Sequence, residues 1–284
     1  MKKFCSFLFS FVPFLIGYGF QYVIAIYFMI LSAVFMLLFA PSITGSATSY
    51  DDMMTLWMDM DFNSIIMIVF SISCSTFFGI WYYKSCSGNL RPNIKQTFHP
   101  LQLLGTIIMV PATQFATSFL ISILSTIFPK WLEEYQAMME SAGMGTEVTA
   151  LMMIYSVCLA PFSEEFIFRG VTMRLARRAL PFWAANIFQA VLFGVFHGNW
   201  LQGCYAFALG LILGYVCERG GSIYHAILFH FLFNLMGTTS QWMNLLDQTV
   251  LGILVLAGTF LILPAGFLIF HIGVTKKKQS IQLP

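Results

Sequence analysis

Residues 4–50 read FCSFLFSFVPFLIGYGFQYVIAIYFMILSAVFMLLFAPSITGSATSY, without one Asp, Glu, Lys, Arg or His. A run of this length has no place in the interior of a small soluble domain. The lead Met1-Lys2-Lys3 imitates a secretory signal, but the apolar region of a signal is only about 7–15 residues long. No clear cleavage site follows the run, so it reads as an uncleaved first membrane span. Pro13, Gly17 and Gly19 are expected to break an interfacial lead from that span, which then occupies about residues 15–40.

The whole chain repeats the message. Of 284 residues, 58% are apolar and 9% are charged, and the mean hydropathy is +0.80. An ordinary soluble domain is about 45–50% apolar and about 25% charged. So few charges cannot coat a soluble globule. The composition excludes a soluble enzyme and a disordered chain, and a net charge of +2 gives nucleic acid no basic footprint. Lipid is the solvent. At about 20 residues per span, the chain accommodates about seven to nine helices.

Charges and turn residues divide the text into eight: about 15–40, 63–83, 101–128, 148–170, 182–200, 203–217, 222–241 and 250–272. With the N-terminus in the cytoplasm, this layout puts Lys2, Lys3, Lys84, Arg91, Lys95, Arg174, Arg177, Arg178, Arg219 and Lys276 to Lys278 inside. Lys130 alone falls outside and Arg169 lies within a span, while the outer loops carry Asp51, Asp52, Asp59, Asp61, Glu133, Glu134, Glu140 and Glu147. That asymmetry follows the positive-inside rule. The expectation is an all-α polytopic membrane bundle of about eight transmembrane helices, one domain over 1–284, with both termini cytoplasmic. The six cysteines (Cys5, Cys74, Cys86, Cys158, Cys204, Cys217) show no metal-finger spacing, and no disulfide framework is expected. The 31 Phe and 17 Met read as packing and lipid-facing residues. The Arg174/Arg177/Arg178 run reads as a topology determinant touching anionic lipid.

Ionisable groups at membrane depth are costly and mark function by default. They cluster in the second half: Glu164, Glu165 and Arg169 in the fourth span, His197 in the fifth, and His225, His230 and Asn234 in the seventh. Glu164 lies 17 residues before Pro181 and His197 16 after it. In an antiparallel hairpin both stand about 24 Å of helix from the turn, at one depth. His230 and Asn234 are one helical turn apart and share a face, as do Phe193 and His197. Glu165 and Arg169 are spaced for an i,i+4 bridge. His225 points about 140° away from His230, and it and His271 read as helix–helix partners. Gly210 and Gly214 form a GxxxG suited to close helix packing.

These are the parts of a water-activating site. Glu164 is placed as general base, with His197 positioning the water. His230 and Asn234 supply donors for a developing oxyanion. Glu165 and Arg169 support, the arginine neutralising one carboxylate. Two His and one Glu also form a known catalytic zinc set, so a divalent metal on Glu164, His197 and His230 stays open beside a metal-free site. No HExxH is present.

The segments that carry these residues resemble a family. Ser163-Glu164-Glu165-Phe166-Ile167-Phe168-Arg169-Gly170 is similar to its EExxxR motif, Phe193-Gly194-Val195-Phe196-His197 to its FxxxH motif, and His230-Phe231-Leu232-Phe233-Asn234 to its HxxxN motif. The Gly220-Gly221-Ser222-Ile223 lead is also family-like. The family is that of the CAAX-protease and bacteriocin-processing membrane proteins (CPBP, or type II CAAX prenyl endopeptidase-like). The resemblance covers about residues 145–240, leaving 1–144 as accessory helices. It implies an eight-helix intramembrane endopeptidase with Glu164 and His197 activating water, His230 and Asn234 forming the oxyanion site, and Glu165, Arg169 and Phe193 in support. It leaves metal dependence undecided. The implied substrate is a membrane-associated peptide or lipidated protein, and the implied place is the bilayer of a bacterial cell. A non-catalytic bacteriocin-immunity or regulatory protein on the same scaffold is the alternative. A proton-coupled transporter fits less well, since no inverted repeat is visible.

Overall fold

The computed structural model describes residues 2–44, 61–85, 97–144, 148–238 and 249–282. Asp51, Asp52, Asp59, Glu147, Arg91, Lys95 and Cys86, named above, lie outside them. The described residues are helical, without a strand. In chain order the helices are α1 (Lys2–Phe9), α2 (Val12–Thr44), α3 (Phe62–Ser85), α4 (Pro100–Ile127), α5 (Pro129–Ser141), α6 (Ala150–Arg177), α7 (Phe182–Phe196), α8 (Trp200–Gly220), α9 (Ile223–Thr238) and α10 (Thr249–Gln282). The described cysteines are free.

Among the described residues six stretches are long and apolar enough to cross a bilayer: Lys3–Phe35, α3, α4, α6, α8 and Gly252–Gln279 within α10. α7 and α9 are apolar but shorter. At 15 residues, α7 rises only about 22 Å, less than the hydrocarbon core of about 30 Å. It stops because the chain turns at Gly198, whose φ is +65°, and Asn199 then caps α8 by accepting from the Gln202 amide at 3.0 Å. The protein is thus a polytopic helical bundle and an integral, multi-pass membrane protein.

Three features differ from the sequence reading. The first helix breaks at Ser10–Phe11, and α2 runs on through Gly17 and Gly19. Ser10 Oγ donates to the Phe7 carbonyl at 2.5 Å, closing α1. Pro13 then sits in the first turn of α2, where its missing N–H costs nothing. α5 is an extra helix in a segment read as loop. Pro129 starts it, and its acids and aromatics alternate along PKWLEEYQAMMES. Trp131 stacks on Trp200 with ring centroids 5.9 Å apart, a belt-like pairing for an interfacial helix. Finally, His271 is exposed rather than bonded between helices.

α4 and α10 pack along their length, and small residues permit it. A Cβ built on Gly105 would lie 2.6 Å from the Phe270 backbone nitrogen and 2.8 Å from its Cα. Backbone atoms cannot swing aside. Gly105→Ala is therefore expected to cost about 1–3 kcal/mol by overpacking, seen as a lower thermal-unfolding midpoint in detergent. Gly258→Ala on α10, where the nearest atom is Ile262 Cδ1 at 3.8 Å, should leave the midpoint unchanged.

Candidate active site

α6 carries the paired carboxylates and is not a uniform α-helix. Wider π turns span Ile154–Leu159 and Phe166–Thr172, flanking the α-helical Ala160–Glu165. Pro161 explains the first, because it has no N–H to give to the preceding turn. A widened turn accommodates its ring, and such bulges recur at functional sites. Ser71 of α3 pins this stretch by donating to the Leu159 carbonyl at 2.7 Å. Asn234 of α9 enters the first π turn, its Nδ2 donating to the Ser156 carbonyl at 2.8 Å.

Within this frame the charges close on one another. Arg169 Nη1 donates to Glu165 Oε1 at 2.9 Å, and both side chains are fully buried. The same Glu165 oxygen lies 2.9 Å from His230 Nδ1. An ionised carboxylate is an acceptor only, so His230 donates from Nδ1. His230 Nε2 therefore faces the other carboxylate, 3.7 Å from Glu164 Oε2. His197 is anchored in a similar way: its Nδ1 is 2.8 Å from the Phe193 carbonyl, which accepts, leaving the lone pair on Nε2. Glu164, His230 and Arg169 are the ionisable neighbours of His197, although no described hydrogen bond joins it to any of them.

Phe193 is the hub. Its ring takes the Arg169 guanidinium on its face at 4.4 Å, the His197 ring edge-on at 4.9 Å and the His230 ring at 5.9 Å. Cation–π contact gives the buried guanidinium a partner that needs no further donor. Phe168 packs against Phe193 at 5.1 Å and against Phe196 at 5.3 Å. Tyr18 of α2 ties the end of α7 by donating to the Val195 carbonyl at 2.8 Å.

Each residue expected at the site is thus on the three helices α6, α7 and α9. Glu164, Glu165, Arg169, Phe193 and His230 form one cluster. Asn234 is fastened to the Ser156 backbone and His197 stands at the end of α7. His225 lies apart, its Nε2 bonded to the Thr97 carbonyl at 3.2 Å. Arg174 and Arg177 have protein partners, Tyr82 (3.1 Å) and Glu218 (3.3 Å), so of the basic run only Arg178 remains exposed for lipid. Sequence reasoning passed over Asn186 and Gln189, fully buried on α7. Two amides at i,i+3 in an apolar helix facing a GxxxG were the available signal.

Glu164, His197 and His230 were the optional metal ligands. Among the described residues no three His, Cys, Asp or Glu side chains group closely enough to hold an ion. The chemistry below is derived from these side chains alone.

Residues 146–236 match the family model of type II CAAX prenyl endopeptidase, Rce1-like. This segment belongs to the CAAX protease family. The match takes in all three motif segments and nearly all of helices α6 to α9, so this part of the chain is similar to CAAX-type membrane proteases. No curated protein and no solved structure matches the chain.

The buried pair makes a prediction that does not need activity. Arg169→Leu strands the Glu165 carboxylate and should cost about 3–5 kcal/mol, read as a fall in the unfolding midpoint. The double variant Glu165→Gln/Arg169→Leu removes the stranded charge and should be less destabilised than Arg169→Leu alone.

Proposed function

We propose that the protein is a glutamate-dependent intramembrane endopeptidase that hydrolyses a peptide bond of a membrane-associated peptide or a prenylated protein. The observation that carries this reading is the doubly faced His230: Nδ1 on the buried Glu165 at 2.9 Å, Nε2 toward Glu164 at 3.7 Å.

Glu164 is only partly covered, with 13% of its side chain exposed, whereas Glu165 is sealed and bound to Arg169. The two adjacent carboxylates therefore have separate tasks. Glu165 is spent on structure and Glu164 is free to exchange protons. Glu164 takes a proton from a water held with His197 Nε2, and that water's oxygen attacks the scissile carbonyl carbon. His230, protonated at Nε2 and balanced by Glu165 behind it, faces the oxygen on which negative charge develops. Asn234 gives one amide hydrogen to Ser156 and has a second for the same oxygen. The proton on Glu164 then passes to the leaving amine as the C–N bond breaks. Preorganised donors of this kind are commonly the largest catalytic contribution in acyl chemistry.

The short α7 supports this reading as well. It sets His197 at a helix end beside the exposed Gly198 and Trp200, and in this reading water enters there. Backbone outside a helix is tolerated at such depth only where protein covers it or water reaches it.

The test is a farnesylated peptide ending in a CAAX sequence, incubated with the protein in proteoliposomes and followed by mass spectrometry. Glu164→Gln should insert and fold as the wild type does and lose at least about 100-fold in cleavage rate, the scale of a lost general base. His197→Ala should be similarly damaging, and His225→Ala mild. Equal loss from both histidine variants, or full activity in Glu164→Gln, would overturn the assignment. A wild-type protein that binds such peptides and never cuts them would favour the immunity or regulatory alternative.

A further inference from the structure

Beyond the three motif segments, a second set of buried polar groups runs into the site from α8. Gln189 Nε2 donates to the Gly210 carbonyl at 2.9 Å and lies 2.8 Å from Asn186 Oδ1. Asn186 Nδ2 in turn donates to the next carbonyl on α8, that of Leu211, at 2.9 Å. The Gly210 carbonyl also receives Arg169 Nη2 at 3.3 Å. One backbone oxygen thus serves both the amide pair and the guanidinium that holds Glu165. Asn186, Gln189, Arg169 and Glu165 are fully buried, and His230 is 3% exposed.

Two amides at this depth are not needed to pack α7 on α8. Small apolar residues would do so without the cost of burying donors and acceptors. α8 also gives up side-chain volume to admit them. A Cβ on Gly214 would fall 1.8 Å from Asn186 Oδ1, and one on Gly210 would lie 3.3 Å from Arg169 Nη2. The GxxxG is the dock for this polar pair as much as for the helix. The Arg169–Gly210 bond, at 3.3 Å, lies beyond the usual range of about 2.7–3.2 Å. On its own it is a loose tether. Gln189 bonding to the same oxygen blocks the guanidinium from sliding along α8. Gln189 Oε1 and Arg169 Nε also remain unspent within this network, so the two residues have complementary polar atoms in reserve.

We propose that Gln189, braced by Asn186, is a positioning residue of the site. By flanking the Gly210 carbonyl it fixes Arg169, and through Glu165 it keeps the proton of His230 on Nδ1 and Nε2 turned to Glu164. The kinetic consequence rests on the endopeptidase reading, whereas the proton placement does not.

The experiment uses the full chain labelled with 15N-histidine, in lipid, together with the cleavage assay. In the wild type the His230 signal, identified by its loss in His230→Gln, should show a protonated Nδ1. Gln189→Leu should shift the Nδ1 resonance as its bond to Glu165 loosens, while Nε2 keeps its proton. Its kcat should fall roughly tenfold, the lower end of what losing the partner behind a working histidine costs, with KM within twofold of wild type. Gln189→Glu keeps the shape, so it serves where the leucine variant does not fold. Its carboxylate competes with Glu165 for Arg169 and should shift the same signal. An unchanged His230 signal in a folded variant overturns the proposal, and so does an unchanged kcat. If the signal moves as expected and the wild type cleaves nothing, the positioning role stands and the endopeptidase reading falls.

Discussion

The Glu165–Arg169 ion pair is the constraint from which much of the surrounding structure follows. Two charges out of water cost several kcal/mol each, and their attraction offsets this only if the remaining donors and acceptors are also bonded. Here the pair spreads its demands over four helices, though Glu165 Oε2 and Arg169 Nε stay without a hydrogen bond among the described residues. Arg169 takes the Gly210 carbonyl of α8 and the Phe193 face of α7, and Glu165 takes His230 of α9. Each partner must come close, so α8 presents glycine and α7 presents amides and a phenyl ring. The pair therefore costs stability locally while fixing how α6 to α9 meet.

That arrangement separates two carboxylates adjacent in sequence. Glu165 faces inward to a cation. Glu164, the next residue and so rotated by about 100° around the helix, keeps 13% of its side chain exposed and looks toward His230 Nε2. Both imidazoles are oriented from behind, one by a carboxylate and the other by a backbone carbonyl. A histidine held this way has its reactive nitrogen defined before substrate arrives. On the proposed reading, the polar groups at depth are a set preorganised for hydrolysis in an apolar medium.

Much of this was legible in the sequence. Residues 4–50 and the sparse charge dictated a helical membrane bundle. The spacings 165/169, 193/197 and 230/234 dictated which side chains share a face, since the helical period leaves no other arrangement. What could not be read were features that depend on neighbours. The end of α2's lead followed a serine closing α1, not the glycines. The π turns around Pro161 and Phe166–Thr172 change register without any compositional mark. The roles of Asn186 and Gln189 exist only because Gly210 and Gly214 lie opposite them. An exposed His271 and a bonded His225 look alike in the text. They differ in which helix packs over them.

The central claim is that Glu164 activates a water that attacks substrate directly. A single turnover in 18O-enriched water tests it, with the substrate fragments and the peptide containing Glu164 both weighed by mass spectrometry. The account predicts one 18O in the new carboxylate of the cleaved fragment and none in Glu164. Label found in the Glu164 side chain would mean that the carboxylate itself had attacked, and would contradict it.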